Sequence, residues 1–480
     1  MNARWRARLA CAMGMAWLGV SAAWATDPFH TRHEVPANAG SALLGEHMAC
    51  VFGAPTVPLT LPETVERALC ANPDTRDAWT IIEEQTAAVG ISKAAYLPTL
   101  SATGQWVHEN SLTNVRDHAP LSSNYSTGVH SGNLTFGWIL YDFGERRAAL
   151  NHAEALLSAA QASADAVLQQ TFADAAKAYY AAQAAREQLH ADDAIVAAAW
   201  SGVTAAEERV GRGVGPITEE YQAQSAYEQA RVSQTRDRGQ ALVAQGNLAN
   251  AMALSPDTPL TLVPLDDTVQ PSEAFQSSVT QLMAQAVSSH PAVAAAANEL
   301  RAAQVGVTQA KAQGRPTIKL VAQYSQNNNP VQLGLGQPHF PATGHDGYIG
   351  VQVNVPIFSG FATTYQVRQA EAQMDQQAVA LDKARQHVAL QVWTSYQTLQ
   401  TDTQNLTTSA LSQHVATLAW QSAQRRYGSG VGTILELLST QTALAQARQQ
   451  RVEALTAWRY DRLALASSLG KLGWGDVNGR

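Results

Sequence analysis

Residues 208–220 read ERVGRGVGPITEE, and residues 425–437 read RRYGSGVGTILEL. Each stretch spaces three glycines by two, Gly211, Gly213 and Gly215 in one and Gly428, Gly430 and Gly432 in the other, at an offset of 217 residues. Working outward, ALCANPD around Asn72-Pro73 matches AVSSHPA around His290-Pro291, and YLPTLSATGQW after Pro98 matches GRPTIKLVAQY after Pro316. ILYDFGERRA near Tyr141 then matches VPIFSGFATT near Phe358. Four landmarks in one order at nearly constant spacing mark an internal duplication, and a repeat governs the whole fold. The expected division is a first repeat over 59–255, a linker over 256–272, a second repeat over 273–470 and a tail over 471–480. Each copy should run helix, strand, strand, long helix, helix.

The strands show period-2 alternation. In YIGVQVNVPI, Ile349, Val351, Val353, Val355 and Ile357 oppose Tyr348, Gly350, Gln352 and Asn354. Ile318, Leu320, Ala322 and Tyr324 oppose Lys319, Gln323 and Ser325, with Val321 the exception. Leu134, Phe136, Trp138 and Leu140 oppose Thr135 and Gly137, and Leu100, Ala102 and Trp106 oppose Ser101, Thr103 and Gln105. The expected strands are ~99–108, ~129–141, ~317–326 and ~348–358, about the ten residues that a tilted membrane strand needs. A half-buried soluble sheet uses the same alternation. Trp106, Trp138, Tyr141 and Phe358 stand near strand ends, where interfacial aromatics belong. Four strands cannot close a barrel alone and open edges cannot face lipid, so a barrel would be shared between chains. Residues 107–128 and 326–346 read as long polar loops facing outward.

Glu145–Val210 and Gly360–Tyr427 contain no proline. A helix of about 65 residues is about 100 Å long, far beyond the usual three or four turns. Leu150, Ala153, Leu157, Ala160 and Ala164 follow 3-4 spacing, as do Val388, Gln391, Ser395 and Leu399 with a more polar mix. One seam for neighbours and one polar face suit the wall of a water-filled tunnel, although a solid helical bundle shows the same period. The glycine clusters should turn the chain. Thr218 is the expected N-cap of the helix after the first turn, with Glu219 and Glu220 in its first turn. Thr433 and Glu436 form a T-x-x-E capping box after the second.

Arg4, Arg6 and Arg8, the apolar stretch Leu9–Ala22 and Ala23-Trp24-Ala25 have the form of a signal peptide, with cleavage expected between Ala25 and Thr26. That removes Cys11 and leaves Cys50 and Cys70, which an exported protein could pair or leave as thiols. No later segment has the 18 consecutive apolar residues of a membrane helix. The net charge of −7 with no basic run argues against nucleic acid. GxxxxGK[ST], GxSxG, HExxH and CxxC are all missing, so no enzyme and no cofactor is expected. His30, His33, Glu34 and His47 lie in an N-terminal extension, residues 26–58, that is expected to pack loosely, and they read as a chance cluster rather than a metal site.

The duplicated plan, the strands, VGRGVGPITEE and YGSGVGTILELLSTQTALAQAR together resemble the TolC family of outer-membrane channels, over roughly residues 57–470. The resemblance implies a mainly α chain with a transmembrane β-barrel. It implies a homotrimer in outer-membrane lipid, four strands per chain making a twelve-stranded barrel, and a long coiled-coil helical tunnel through the periplasm. It also implies a periplasmic adaptor (membrane fusion protein) and an inner-membrane transporter docking at the helical tips, and no catalysed reaction. In that family a Thr-Asp pair of the first turn is held by a Tyr and an Arg of the second. Thr218 and Glu219 fall on the pair and Tyr427 on the Tyr, while Gly432 stands where the Arg would be; Arg212, Arg425 and Arg426 are the candidate replacements. Of the family's two acidic rings Glu436 matches the first, and Ser439 stands at the second. Glu436 is thus either a pore carboxylate or a solvated capping residue.

The expected function is an outer-membrane exit duct. The absence of a lipidation site and the set Tyr427, Thr218 and Glu219 favour type I secretion of a large protein toxin, with an ABC-type transporter as partner. Drug or metal efflux on the same fold, and a soluble periplasmic coiled-coil scaffold, are the alternatives.

Overall fold

The computed structural model describes residues 27–45, 50–265, 278–334 and 336–473. The signal segment with its Ala25-Thr26 site, His47, much of the expected linker and most of the tail lie outside these residues. The chain runs α1 (Leu61–Ala71), α2 (Pro73–Ala94), β1 (Thr99–Thr113), β2 (Ser123–Tyr141), α3 (Glu145–Gly211) and α4 (Ile217–Ala251). It continues α5 (Val279–Ser289), α6 (Pro291–Gln313), β3 (Thr317–Asn327), β4 (Gly344–Asn354), α7 (Ala362–Gly428) and α8 (Ile434–Ser468). The opening helix expected in each half is two helices. Asn72 and His290 precede proline and take extended backbone, with ψ of 134° and 132°. A proline at the next position clashes with helical geometry at these residues and then starts the new helix. Asn72 Oδ1 accepts from the Asp74 amide at 2.8 Å, and His290 Nδ1 accepts from the Ala292 amide at 3.1 Å. Both side chains bridge their breaks in the same way.

Two compact units result. One combines Glu84–Leu157, Asn298–Ala378 and the residues up to Glu34. It holds a four-stranded antiparallel sheet in the order β1-β2-β3-β4. Leu100, Phe136, Ala322 and Ile349 stand in register across it, as do Thr135, Gln323 and Tyr348 on the other face. The apolar face is bare: Leu100 is 67% exposed and Ile349 75%. Among the described residues, the polar edge groups of β1 and β4 have no neighbouring strand. In water such a sheet would aggregate, whereas lipid and neighbouring copies satisfy both its face and its edges.

One expected loop and one expected strand are corrected. β1 continues to Thr113 and β2 begins at Ser123, so most of 107–128 is strand and the connection is short. Tyr125 donates to Glu109 Oε1 at 2.8 Å, and Ser126 Oγ lies 2.9 Å from His108 Nε2 across this extension. Both of its faces are polar, so the alternation that marks the membrane part is missing there. β4 spans 344–354 rather than ~348–358, because Val355–Phe358 leave the ladder before α7.

The second unit combines Val35–Glu83, Ser158–Ala297 and the residues from Val379 onward. Its core lies where α1, α3 and α8 meet, on Val65, Leu69, Leu168, Phe172 and Leu463, with a second cluster on Leu59, Tyr179, Leu248 and Met252. Small side chains at Ala175 and Ala176 bring the helices close. Residues 35–45 and 50–58 are anchored, contrary to the expected loose packing. Arg67 donates to the Gly53 and Ala54 carbonyls and stacks on Phe52, Trp79 Nε1 donates to the Pro36 carbonyl at 2.8 Å, and a disulfide joins Cys50 to Cys70. No described helix is long and apolar enough to cross a membrane. Among the described residues no group of three or more His, Cys, Asp or Glu is arranged to hold a metal ion.

Candidate functional site at the paired helix turns

The two glycine-rich turns lie in the second unit and are built alike. α3 ends at Gly211, where the Gly213 amide donates to Val210 O and the Val214 amide to Arg209 O. At the second turn the Gly430 amide donates to Tyr427 O and the Val431 amide to Arg426 O. Gly213 and Gly430 have φ of +72° and +83°, a left-handed conformation that a Cβ disfavours. A Cβ at Gly432 would lie 2.9 Å from the Tyr427 amide nitrogen, so the residue standing at the family's Arg position is packed against backbone.

The expected caps divide. Thr433 is the N-cap of α8 and accepts from the Glu436 amide at 3.2 Å. The Glu436 carboxylate turns to Arg426 Nε at 3.4 Å. The N-cap of α4 is Pro216 rather than Thr218, which lies exposed within the first turn. Proline fixes the extended approach to the helix, with φ of −74°, and leaves no side chain to cap with.

Between the turns, Tyr427 Oη donates to Glu219 Oε2 at 3.1 Å. Arg209 Nε donates to the same oxygen at 3.3 Å, and its guanidinium lies 5.0 Å over the Tyr427 ring. Tyr427 is 2% exposed and packs with Val203, Ala206, Ala223, Ile434 and Leu437. Burial, reinforced by the Glu219 carboxylate, pushes its hydroxyl up to about 12, so it stays a donor at any physiological pH. A charge-assisted bond from Tyr427 and a shielded ion pair with Arg209 thus converge on Glu219, and the Tyr427 bond together with the Arg209–Tyr427 cation–π contact ties the α3–α4 hairpin to the α7–α8 hairpin.

Of the expected residues, Tyr427 and Glu219 are brought together and Thr218 is not. None of the three candidate arginines replaces the missing one. Arg212 pairs with Glu208, Arg426 pairs with Glu436, and Arg425 reaches neither partner of the latch. The arginine that meets Glu219 and Tyr427 is Arg209, and the duplication contained the signal. At the offset of 217 residues, Arg209 falls on Arg426 and Glu219 on Glu436. The structure forms both ion pairs, at 3.3 and 3.4 Å. Ser439 is exposed one turn beyond Glu436, with its hydroxyl bonded to the Glu436 carbonyl.

A model of the outer membrane efflux protein family matches the chain twice, over residues 64–254 and 282–471. Protein CyaE of Bordetella pertussis is 30% identical over 424 residues, covering 88% of this chain and 86% of its own length. The alkaline protease secretion protein AprF of Pseudomonas aeruginosa is 23% identical over 251 residues, 52% of this chain and 51% of its own. The solved outer-membrane channel OprN superimposes with a TM-score of 0.72 at 18% identity, over 86% of this chain and 90% of that one.

Proposed function

Since the chain belongs to the outer membrane efflux protein family, it is an outer-membrane channel subunit, and we propose that its duct serves protein export of the type I kind. One observation favours proteins over drugs as cargo: AprF, which is similar to this chain, is a secretion protein by name. Three copies close a twelve-stranded barrel, which supplies neighbours for the open edges of β1 and β4. The protein catalyses nothing. An ABC-type transporter and a periplasmic adaptor supply the energy and the connection to the inner membrane.

The observation that carries the gating part is the convergence of Tyr427 and Arg209 on Glu219. This contact joins the two hairpins within one subunit and holds the periplasmic entrance shut. Three Glu436 carboxylates around the axis form a ring attractive to cations. Deleting the gene from its host separates the two cargo classes. Loss of a protein from the culture medium with unchanged drug susceptibility supports secretion. Raised susceptibility with an unchanged set of secreted proteins replaces it with efflux.

A further inference from the structure

The α3–α4 hairpin contains a buried pair of acids that the latch does not use. Asp192 on α3 is 8% exposed and Asp237 on α4 is 4% exposed, and their carboxyls lie within hydrogen-bond reach of each other. Gln188 Nε2 donates to Asp192 Oδ1 at 3.1 Å, while Asp192 Oδ2 is buried and receives no hydrogen bond. Arg236 donates to both oxygens of Asp237, from Nε at 2.7 Å and from Nη2 at 3.2 Å. One cation therefore serves two acids, and its own side chain is 63% exposed. The third helix against the pair brings no charge. Beside the acids is a cavity of about 540 Å³, and α8 lines it with Leu435, Leu438, Gln441 and other uncharged residues. Gln441 is occupied with the Ile195 carbonyl.

Two touching carboxylates cannot both ionise cheaply, and a buried carboxylate oxygen without a donor is costly. A proton on Asp192 Oδ2, donated to Asp237, removes both penalties. We propose that Asp192 and Asp237 bind one proton between them, and that its departure loosens α4 from α3. The proton resides on Asp192, because Arg236 holds the Asp237 carboxyl below its ordinary value. Burial, with the Asp237 carboxylate acting the same way, pushes the Asp192 carboxyl up to about 6. A carboxyl raised in the folded state contributes stability that is complete below its ordinary range near 4 and is lost as the pH rises through about 6. The pair lies about 25 Å along α3 from Arg209, at 1.5 Å per residue. Glu219 is on α4, so, on the gating role proposed above, a looser α4 weakens the latch near neutral pH.

Hydrogen exchange of the intact detergent-solubilised channel tests this at pH 5 and pH 8. After correction for intrinsic rates, amides of 188–196 and 233–241 should exchange about tenfold faster at pH 8. Asp192→Asn supplies an amide donor where the protonated acid had one, and should keep these amides slow at both pH values. Asp237→Asn is the second variant, should the first misfold, and should behave alike. A wild-type channel without the difference, or variants that retain it in full, would overturn the proton site. A pH-dependent exchange with bilayer conductance flat between the two values supports the site but removes its link to the gate.

Discussion

Tyr427 Oη lies 3.1 Å from Glu219 Oε2, and this bond connects turns separated by 208 residues of chain. Hydrogen bonds to a charged partner contribute about 1.5–3 kcal/mol. Tyr427→Phe keeps the ring packed among Val203, Ala206 and Leu437 and removes only the donor. If the bond holds the entrance shut, single-channel recordings should show an open fraction at least about tenfold higher, with little change in thermal stability. An unchanged open fraction would mean that the apolar cluster, not the bond, holds the turns.

The two arginine–glutamate pairs should differ in weight although the duplication relates them. Arg209 and Glu219 are 20% and 16% exposed, whereas Arg426 and Glu436 are 55% and 40% exposed. Solvent screens the second pair to less than about 1 kcal/mol. Arg209→Ala also strips the face of the Tyr427 ring and leaves Glu219 with one donor fewer. Conductance should rise clearly for Arg209→Ala and barely for Arg426→Ala. Equal effects would show that the tip is held by charge alone.

Parts of the fold were open to reading from the residues and parts were not, for physical reasons. The duplication, the glycine turns and the membrane sections of the strands carry periodic apolar signals that water and lipid impose. The water-exposed continuation of β1 and β2 carries none, because polar residues occupy both faces, Glu109, Ser111 and Tyr125 on one and His108, Asn110 and Ser126 on the other. The anchoring of residues 35–45 and 50–58 was hidden as well. Arg67 and Trp79 bind the backbone carbonyls of Gly53, Ala54 and Pro36, which any residue type supplies. Arg209 is legible only through the repeat offset, which points to the first turn, whereas the family pattern points to the second.

His290 offers a pH test away from the tip. Burial holds its imidazole below the ordinary histidine range, with the nearby His387 acting in the same direction and the Ser467 backbone opposing. The folded protein therefore keeps it neutral, and the unfolded chain takes up a proton first as the pH falls. The resulting stability is present above about pH 6.5 and is lost as the pH falls below it. Asn72 performs the same bridging in the first repeat. His290→Asn should therefore fold, and its melting temperature should drop less between pH 7 and pH 5 than that of the unaltered channel. An equal drop would assign the acid sensitivity to other groups.

On the ring proposed above, Glu436 would act on the permeating solution. It is 40% exposed at the start of α8, and its partner Arg426 is more exposed still. Its carboxylate is therefore incompletely neutralised, and three copies around an axis would concentrate cations. Glu436→Gln keeps the amide bond to Thr433 Oγ1, so the cap and the helix start survive. Reversal potentials in a salt gradient should shift toward zero in this variant. Ser439 is exposed one turn further along the same helix, and Ser439→Asp should shift them in the opposite direction by adding a second ring. If neither substitution moves the reversal potential, the two positions lie outside the constriction, and selectivity must then be set elsewhere along the duct.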